Sequence, residues 1–205
     1  ATKFLGSKIN PILFRKNQDN RKPFADRLGG RFFSKKKGKT PMKIKTVALL
    51  GAGAVGSYFL WGLTEKLGEN LWVIAEGERK KRLETNGLFI NGVPCPLHLK
   101  TPNEACGADL LLVATKYGAL TQSLEAIAAV TQKHTLVMSL LNGIGSEELI
   151  AEKIGKEHLI YSMIKIAAER KGNQITFDGP NTQGIYFGEV GSRQPTERIK
   201  AIEEL

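Results

Sequence analysis

Apolar and polar positions follow two rhythms along this chain, and the first orderly passage begins at Met42. Val47 to Leu50 is an unbroken apolar run that stops at a glycine, the pattern of a short strand buried on both faces of a parallel sheet. Residues 54–67 then carry Val55, Phe59, Leu60 and Leu63 on one side of a predicted helix. Leu71 to Ala75, Asp109 to Ala114 and Thr135 to Leu140 predict three more buried strands, with a helix over 119–130. Ser146, followed by Glu147 to Leu149, predicts an N-cap and an acidic first turn. The passage 158–167 (HLIYSMIKIA) predicts a further strand. The passages 172–179 (GNQITFDG) and 182–189 (TQGIYFGE) read as two strands of a hairpin turned at Pro180 and Asn181, and 196–205 (TERIKAIEEL) starts a helix. Strand–helix alternation of this kind predicts a doubly wound α/β sheet, mostly parallel, with ligands at the carboxyl ends of its strands.

The turn after the first strand carries chemistry. Gly51-Ala52-Gly53-Ala54-Val55-Gly56 matches G-x-G-x-x-G, and it follows a strand and opens a helix, as a Rossmann-type sheet requires. Gly51 permits the tight turn, Gly53 lets a pyrophosphate approach the backbone, and Gly56 lets the helix pack on the strand. The helix N-terminus offers unpaired N–H groups and a positive dipole end to the phosphates. Glu76 ends the second strand 20 residues after Gly56, where a carboxylate accepts hydrogen bonds from ribose hydroxyls and favours NAD. Arg79, Lys80, Lys81 and Arg82 follow at once, and cations there hold a 2′-phosphate and favour NADP. The residues by themselves leave both cofactors open.

Charge changes the picture only ahead of Met42. The formal net charge is +10; residues 1–41 hold twelve Lys and Arg against Asp19 and Asp26, while residues 42–205 hold eighteen of each sign. The stretch 27–41 (RLGGRFFSKKKGKTP) has no sustained period and is expected to be a disordered basic extension. Three roles fit it: gripping RNA or another polyanion, acting as a targeting leader, or preceding a natural start at Met42. Cys95 and Cys106 lack C-x-x-C spacing, and His98, His134 and His158 form no ligand pair, so a reduced cytoplasmic chain without a metal site is expected. No apolar run reaches the ~18 residues of a membrane span.

Taken together, KIKTVALLGAGAVGSYF, DLLLVATKYGAL, LLNGIGSEEL, IAAERKGN and GIYFGE resemble, in order and spacing, the ketopantoate reductase (2-dehydropantoate 2-reductase) family. The similarity covers Met42 to the C-terminus and none of residues 1–41. It implies hydride transfer from NADPH to the ketone of 2-dehydropantoate, a 2-keto acid, giving pantoate for pantothenate and coenzyme A synthesis. It places the phosphate loop on Gly51 to Gly56, a cofactor-approaching lysine on Lys116, an asparagine near both nicotinamide and substrate on Asn142, and a backbone cofactor contact on Ala168. It also leaves room for a homodimer. Another Rossmann 2-keto or hydroxy acid dehydrogenase, and a nucleotide-binding module with an RNA-binding tail, are the competing classes.

The sequence also departs from the family. Many members have a Gln near Ala119 and an Arg where Glu76 stands. Members continue into a helical domain carrying the lysine that acts as general acid, and no residue here takes that role; Lys165 lies within a predicted strand. The expected organisation is a basic extension over 1–41, a dinucleotide-binding domain over 42–193, and the start of a connecting helix over 194–205. Such a piece is expected to bind cofactor and to turn over substrate weakly or not at all.

Overall fold

Val47 to Leu50 present four consecutive apolar side chains, two to each face, and all four are buried. Such a strand is stable only with helices packed on both sides. A computed structural model describes residues 42–142, 145–178, 182, 184–192 and 194–205. The basic segment 1–41 and the turn expected at 180–181 lie outside the described residues.

The elements run β1 (Val47–Leu50), α1 (Ala54–Leu67), β2 (Leu71–Ile74), α2 (Gly77–Asn86), β3 (Phe89–Ile90), β4 (Val93–Pro94), β5 (His98–Lys100), β6 (Leu110–Val113), α3 (Leu120–Val130), β7 (Leu136–Ser139), α4 (Ser146–Ile154), β8 (Leu159–Lys165), β9 (Ala168–Lys171), β10 (Gln174–Phe177), β11 (Gly184–Gly188) and α5 (Glu197–Glu203). Among the described residues, seven strands form one sheet in the order β11-β8-β7-β6-β1-β2-β5. Every pairing in it is parallel except β8 with β11. From β1 the chain first adds β2 and β5 on one side, then crosses over to add β6, β7 and β8 on the other. The direction reverses between β1 and β6, and that switch point is where such sheets open a crevice.

Two cores follow from the alternation. Val47 and Leu49 join Leu60 of α1, Met138, Ile160 and Ile202 of α5 on one face. Ala48 and Leu50 join Leu111, Val113, Ile127 of α3 and Ile150 of α4 on the other. Leu111 is fully buried between β1 and β7. Leu111→Ala is therefore expected to lower stability by about 2–5 kcal/mol, read as a fall in the urea midpoint with an unchanged slope.

The strands are tied together at their amino ends by one carboxylate. Asp109 Oδ2 accepts from the Lys45 and Thr46 backbone N–H groups (2.8 and 2.9 Å) and from the Thr46 hydroxyl (3.1 Å), and the Thr46 hydroxyl accepts from the Asp109 N–H (3.0 Å). Asp109 thus caps the approach to β6 instead of starting it. Two of the histidines have backbone partners: His158 Nδ1 lies 2.9 Å from the Thr135 carbonyl and His134 Nε2 lies 2.9 Å from that of Gly107.

Two expectations are corrected. The passages 172–179 and 182–189 do not form a hairpin with each other. β10 pairs with β9 and β3 in a second sheet of order β4-β3-β10-β9, whereas β11 pairs antiparallel with β8 at the edge of the main sheet. Alternation along a strand fixes which face is buried, as Ile175 and Ile185 are, but not which neighbour supplies the ladder. Nor does Ser146 cap α4. Gly145, at φ +99°, holds the cap position, a left-handed conformation that favours glycine. Ser146 moves into the first turn, where its hydroxyl meets Ser139 Oγ at 2.9 Å and donates to Glu147 Oε2 at 2.7 Å. At α5, by contrast, Thr196 is a true cap, accepting from the Ile199 N–H.

Candidate dinucleotide-binding site

Three parallel neighbours end level with one another. Leu50 of β1 is in register with Val113 of β6, and Val113 with Ser139 of β7. The ladder runs one step further, with Ala114 N–H donating to the Leu50 carbonyl and Leu140 N–H to that of Val113, both at 2.8 Å. The segments that leave this edge carry the glycine loop, Lys116 and Asn142.

The geometry of the loop explains its glycines. Gly51 sits at φ +113°, and a Cβ there would stand 2.6 Å from the carbonyl carbon and oxygen of Ala114. A Cβ on Gly56 would stand 2.0 Å from the Gly51 carbonyl oxygen and 3.2 Å from the Leu49 side chain. Both positions are closed against protein. Gly53 is the opposite case: a Cβ there meets nothing within 4 Å. Gly53 is also the N-cap of α1, in extended backbone, with no side-chain cap, and the first turn of the helix holds no acidic residue. Ser57 N–H makes the first helical bond, to the Gly53 carbonyl at 2.9 Å. The earlier N–H groups of the turn have no partner within the helix. Loop and helix thus form an open, positively polarised cradle that fits a pyrophosphate.

Lys116 is exposed and opens the short turn 117–119 just past β6; among the described residues no carboxylate lies within 4 Å of its ammonium group. Asn142 is exposed past β7, and the next two residues lie outside the described ones. Ala52 is buried, Ala54 and Val55 are half-buried at the start of α1, and Val55 packs against the core. Ala168 lies three residues past the end of β8, which runs parallel to β7. It begins β9 in the second sheet and lines a small groove with Ala167, Thr176 and Phe177.

Beyond β2, on the other side of β1, Glu76 is the exposed N-cap residue of α2, without a capping hydrogen bond from its side chain. Arg79 is the third residue of that helix. Burial lowers its pKa, and the neighbouring charges of Arg82 and Arg170 lower it further. Arg170 was not among the residues expected here. It reaches in from β9 and donates Nη1–H to the Ala52 carbonyl at 3.1 Å and Nε–H to the Gly172 carbonyl at 2.9 Å. The one local signal was its two-residue spacing from Ala168, which puts both on one face of a strand. Two buried hydroxyls near this edge, of Ser57 in α1 and Thr115 beside Lys116, have no hydrogen-bond partner among the described residues.

The switch point, the glycine turn and the level strand ends define an α/β protein of the Rossmann class. The family model for ketopantoate reductase PanE/ApbA matches residues 47–192. The chain belongs to that family. It is 34% identical over 113 residues to a 2-dehydropantoate 2-reductase of Pyrococcus horikoshii, covering 54% of this chain and 37% of the relative. Among solved structures it resembles the 2-dehydropantoate 2-reductase of Geobacter metallireducens GS-15, with TM-score 0.63 and 29% identity over 77% of this chain and 53% of that one. It also resembles a D-mandelate dehydrogenase solved with NADH and anilino(oxo)acetate, with TM-score 0.57 and 29% identity over 65% of this chain and 46% of that one. The chain thus spans about half or less of the length of these relatives. Among the described residues no helix is long and apolar enough to cross a membrane.

Proposed function

We propose that this chain is the cofactor-binding part of an NADPH-dependent 2-dehydropantoate 2-reductase. The observation that carries this reading is the open cradle at Gly53, set between two glycines that cannot be replaced and level with Lys116 and Asn142. When bound, NADPH supplies the hydride. The backbone of Gly51 to Gly56 and the first turn of α1 hold its pyrophosphate. Lys116, with no carboxylate within 4 Å among the described residues, offers its cation to phosphate charge at the same edge. The Asn142 carboxamide donates to the substrate carbonyl and orients the nicotinamide amide. Ala168 contributes a backbone contact from β9, the strand whose Arg170 touches the loop.

A ketone oxygen that takes on charge needs a proton donor as well. The family resemblance puts that donor, a lysine, on a helical domain that residues 1–205 do not supply. Lys165 is exposed on β8 and is not assigned the role.

Titration of NADPH and NADH against tryptophan fluorescence tests the reading. Saturable quenching by NADPH is the expected result, and its absence with both cofactors would sink the proposal. Lys116→Met is expected to weaken NADPH about tenfold, the loss of one charge-assisted hydrogen bond, with no change in thermal midpoint. A second reading, a related 2-keto or 2-hydroxy acid dehydrogenase, is favoured by the likeness to D-mandelate dehydrogenase. Turnover by the full-length gene product on a panel of 2-keto acids separates the two, with 2-dehydropantoate expected as the best substrate.

A further inference from the structure

We propose that Arg170 is a specificity-determining residue for the cofactor, binding the 2′-phosphate of NADPH from outside the parallel sheet. The proposal rests on the dinucleotide reading of the glycine loop given above.

Arg170 lies on β9, opposite Ile175 in the ladder to β10, and belongs to the second sheet. Its guanidinium is nonetheless anchored at the loop, through Nη1–H to the Ala52 carbonyl and Nε–H to the Gly172 carbonyl. Both acceptors are neutral. They use two of the five guanidinium N–H groups and, among the described residues, leave the positive charge without a counterion within 4 Å. The rest of the fork is available to an anion beside the loop, in the bidentate geometry that phosphate accepts.

The setting is equally one-sided. β2 is the parallel neighbour of β1, so the first turn of α2, with Arg79, stands next to the glycine loop. Arg79 feels the charges of both Arg82 and Arg170, which puts three guanidinium groups in one electrostatic neighbourhood. Among the described residues no carboxylate lies within 4 Å of any of the three, and Glu78 in the same turn is taken up by Lys81 at 3.1 Å. Like charges gathered without an acid repel one another until an anion joins them. The pyrophosphate already has the helix N-terminus. A further phosphate on the adenosine ribose is the anion that falls between the loop and α2, and NADH lacks it. Glu76, at the N-cap of α2, favours unphosphorylated ribose hydroxyls, so the discrimination has to come from the arginines.

The test is the ratio of affinities, which a purely structural role does not move. Arg170→Gln in the full 205-residue chain is titrated with NADPH, NADH, 2′,5′-ADP and 5′-AMP. NADPH and 2′,5′-ADP are expected to weaken about tenfold or more, the loss of a charge-assisted contact, and NADH and 5′-AMP less than about threefold. Equal weakening of NADPH and NADH would show that Arg170 only braces Ala52, and would overturn the proposal. Arg170→Met serves if Arg170→Gln does not fold; an unchanged NADPH to NADH ratio there also counts as refutation. Failure of the unaltered chain to bind either dinucleotide would instead remove the reading on which the proposal stands.

Discussion

Gly56→Ala is expected to weaken NADPH binding severely and to destabilise the chain in one step. The added methyl group would stand 2.0 Å from the Gly51 carbonyl oxygen, a backbone atom that no rotamer change can move aside. Relief requires α1 to lift away from β1, which takes Leu60 out of register with Leu49 and Val73 in the core beneath. Overpacking of this kind costs about 1–3 kcal/mol. The same shift carries the first turn of α1 away from the loop, so the pyrophosphate loses at least two charge-assisted hydrogen bonds, and affinity falls about a hundredfold or more. Thermal denaturation without ligand, followed by NADPH titration, reads both effects. A variant with unaltered midpoint and affinity would mean that helix and loop do not pack as described.

Gly53→Asp separates the two effects. An aspartate at this position meets open space, sits in extended backbone and lands on a helix N-terminus that has no side-chain cap and no acid in its first turn. The fold therefore gains: a carboxylate there interacts with the helix dipole by about 0.3–1 kcal/mol and caps a free N–H. Binding suffers, because the carboxylate takes the place and the donors of the pyrophosphate and repels its charge. The expected result is an unchanged or higher thermal midpoint together with a loss of NADPH affinity of about a hundredfold or more, two donors being withdrawn. Retention of affinity would show that phosphates do not enter over Gly53. Together the two glycine variants distinguish a structural turn from a ligand cradle.

Much of this site was legible in the residues because its parts are local. The loop lies within six consecutive positions, bounded by an apolar run and an amphipathic helix, and each feature has a short-range physical signature. The placement of Lys116 and Asn142 past strand ends was legible for a related reason. Each follows a four-residue buried strand, and strands of one parallel sheet deliver their carboxyl ends to one edge. Arg170 was not legible. Its partner, the Ala52 carbonyl, is 118 residues away, and nothing in the alternation of β9 says which loop its guanidinium will reach. The fate of β10 and β11 was hidden in the same way, since neither pattern names its neighbour.

Short-range order thus determined what the chain carries: the strand runs, the glycine turn, the acidic Glu76 followed by its basic run, and a neutral balance of charge over residues 42–205. Those follow from steric limits and hydrophobic periodicity, which act over a few residues. Only the tertiary structure decided that β11 closes one edge of the main sheet while β10 joins a second one, that Gly145 displaces Ser146 from the cap of α4, and that Arg170 stands at the glycine loop. The physical reason is common to all three. Hydrogen-bond partners and counter-charges are chosen by position in space, and distant segments meet only after the cores have packed.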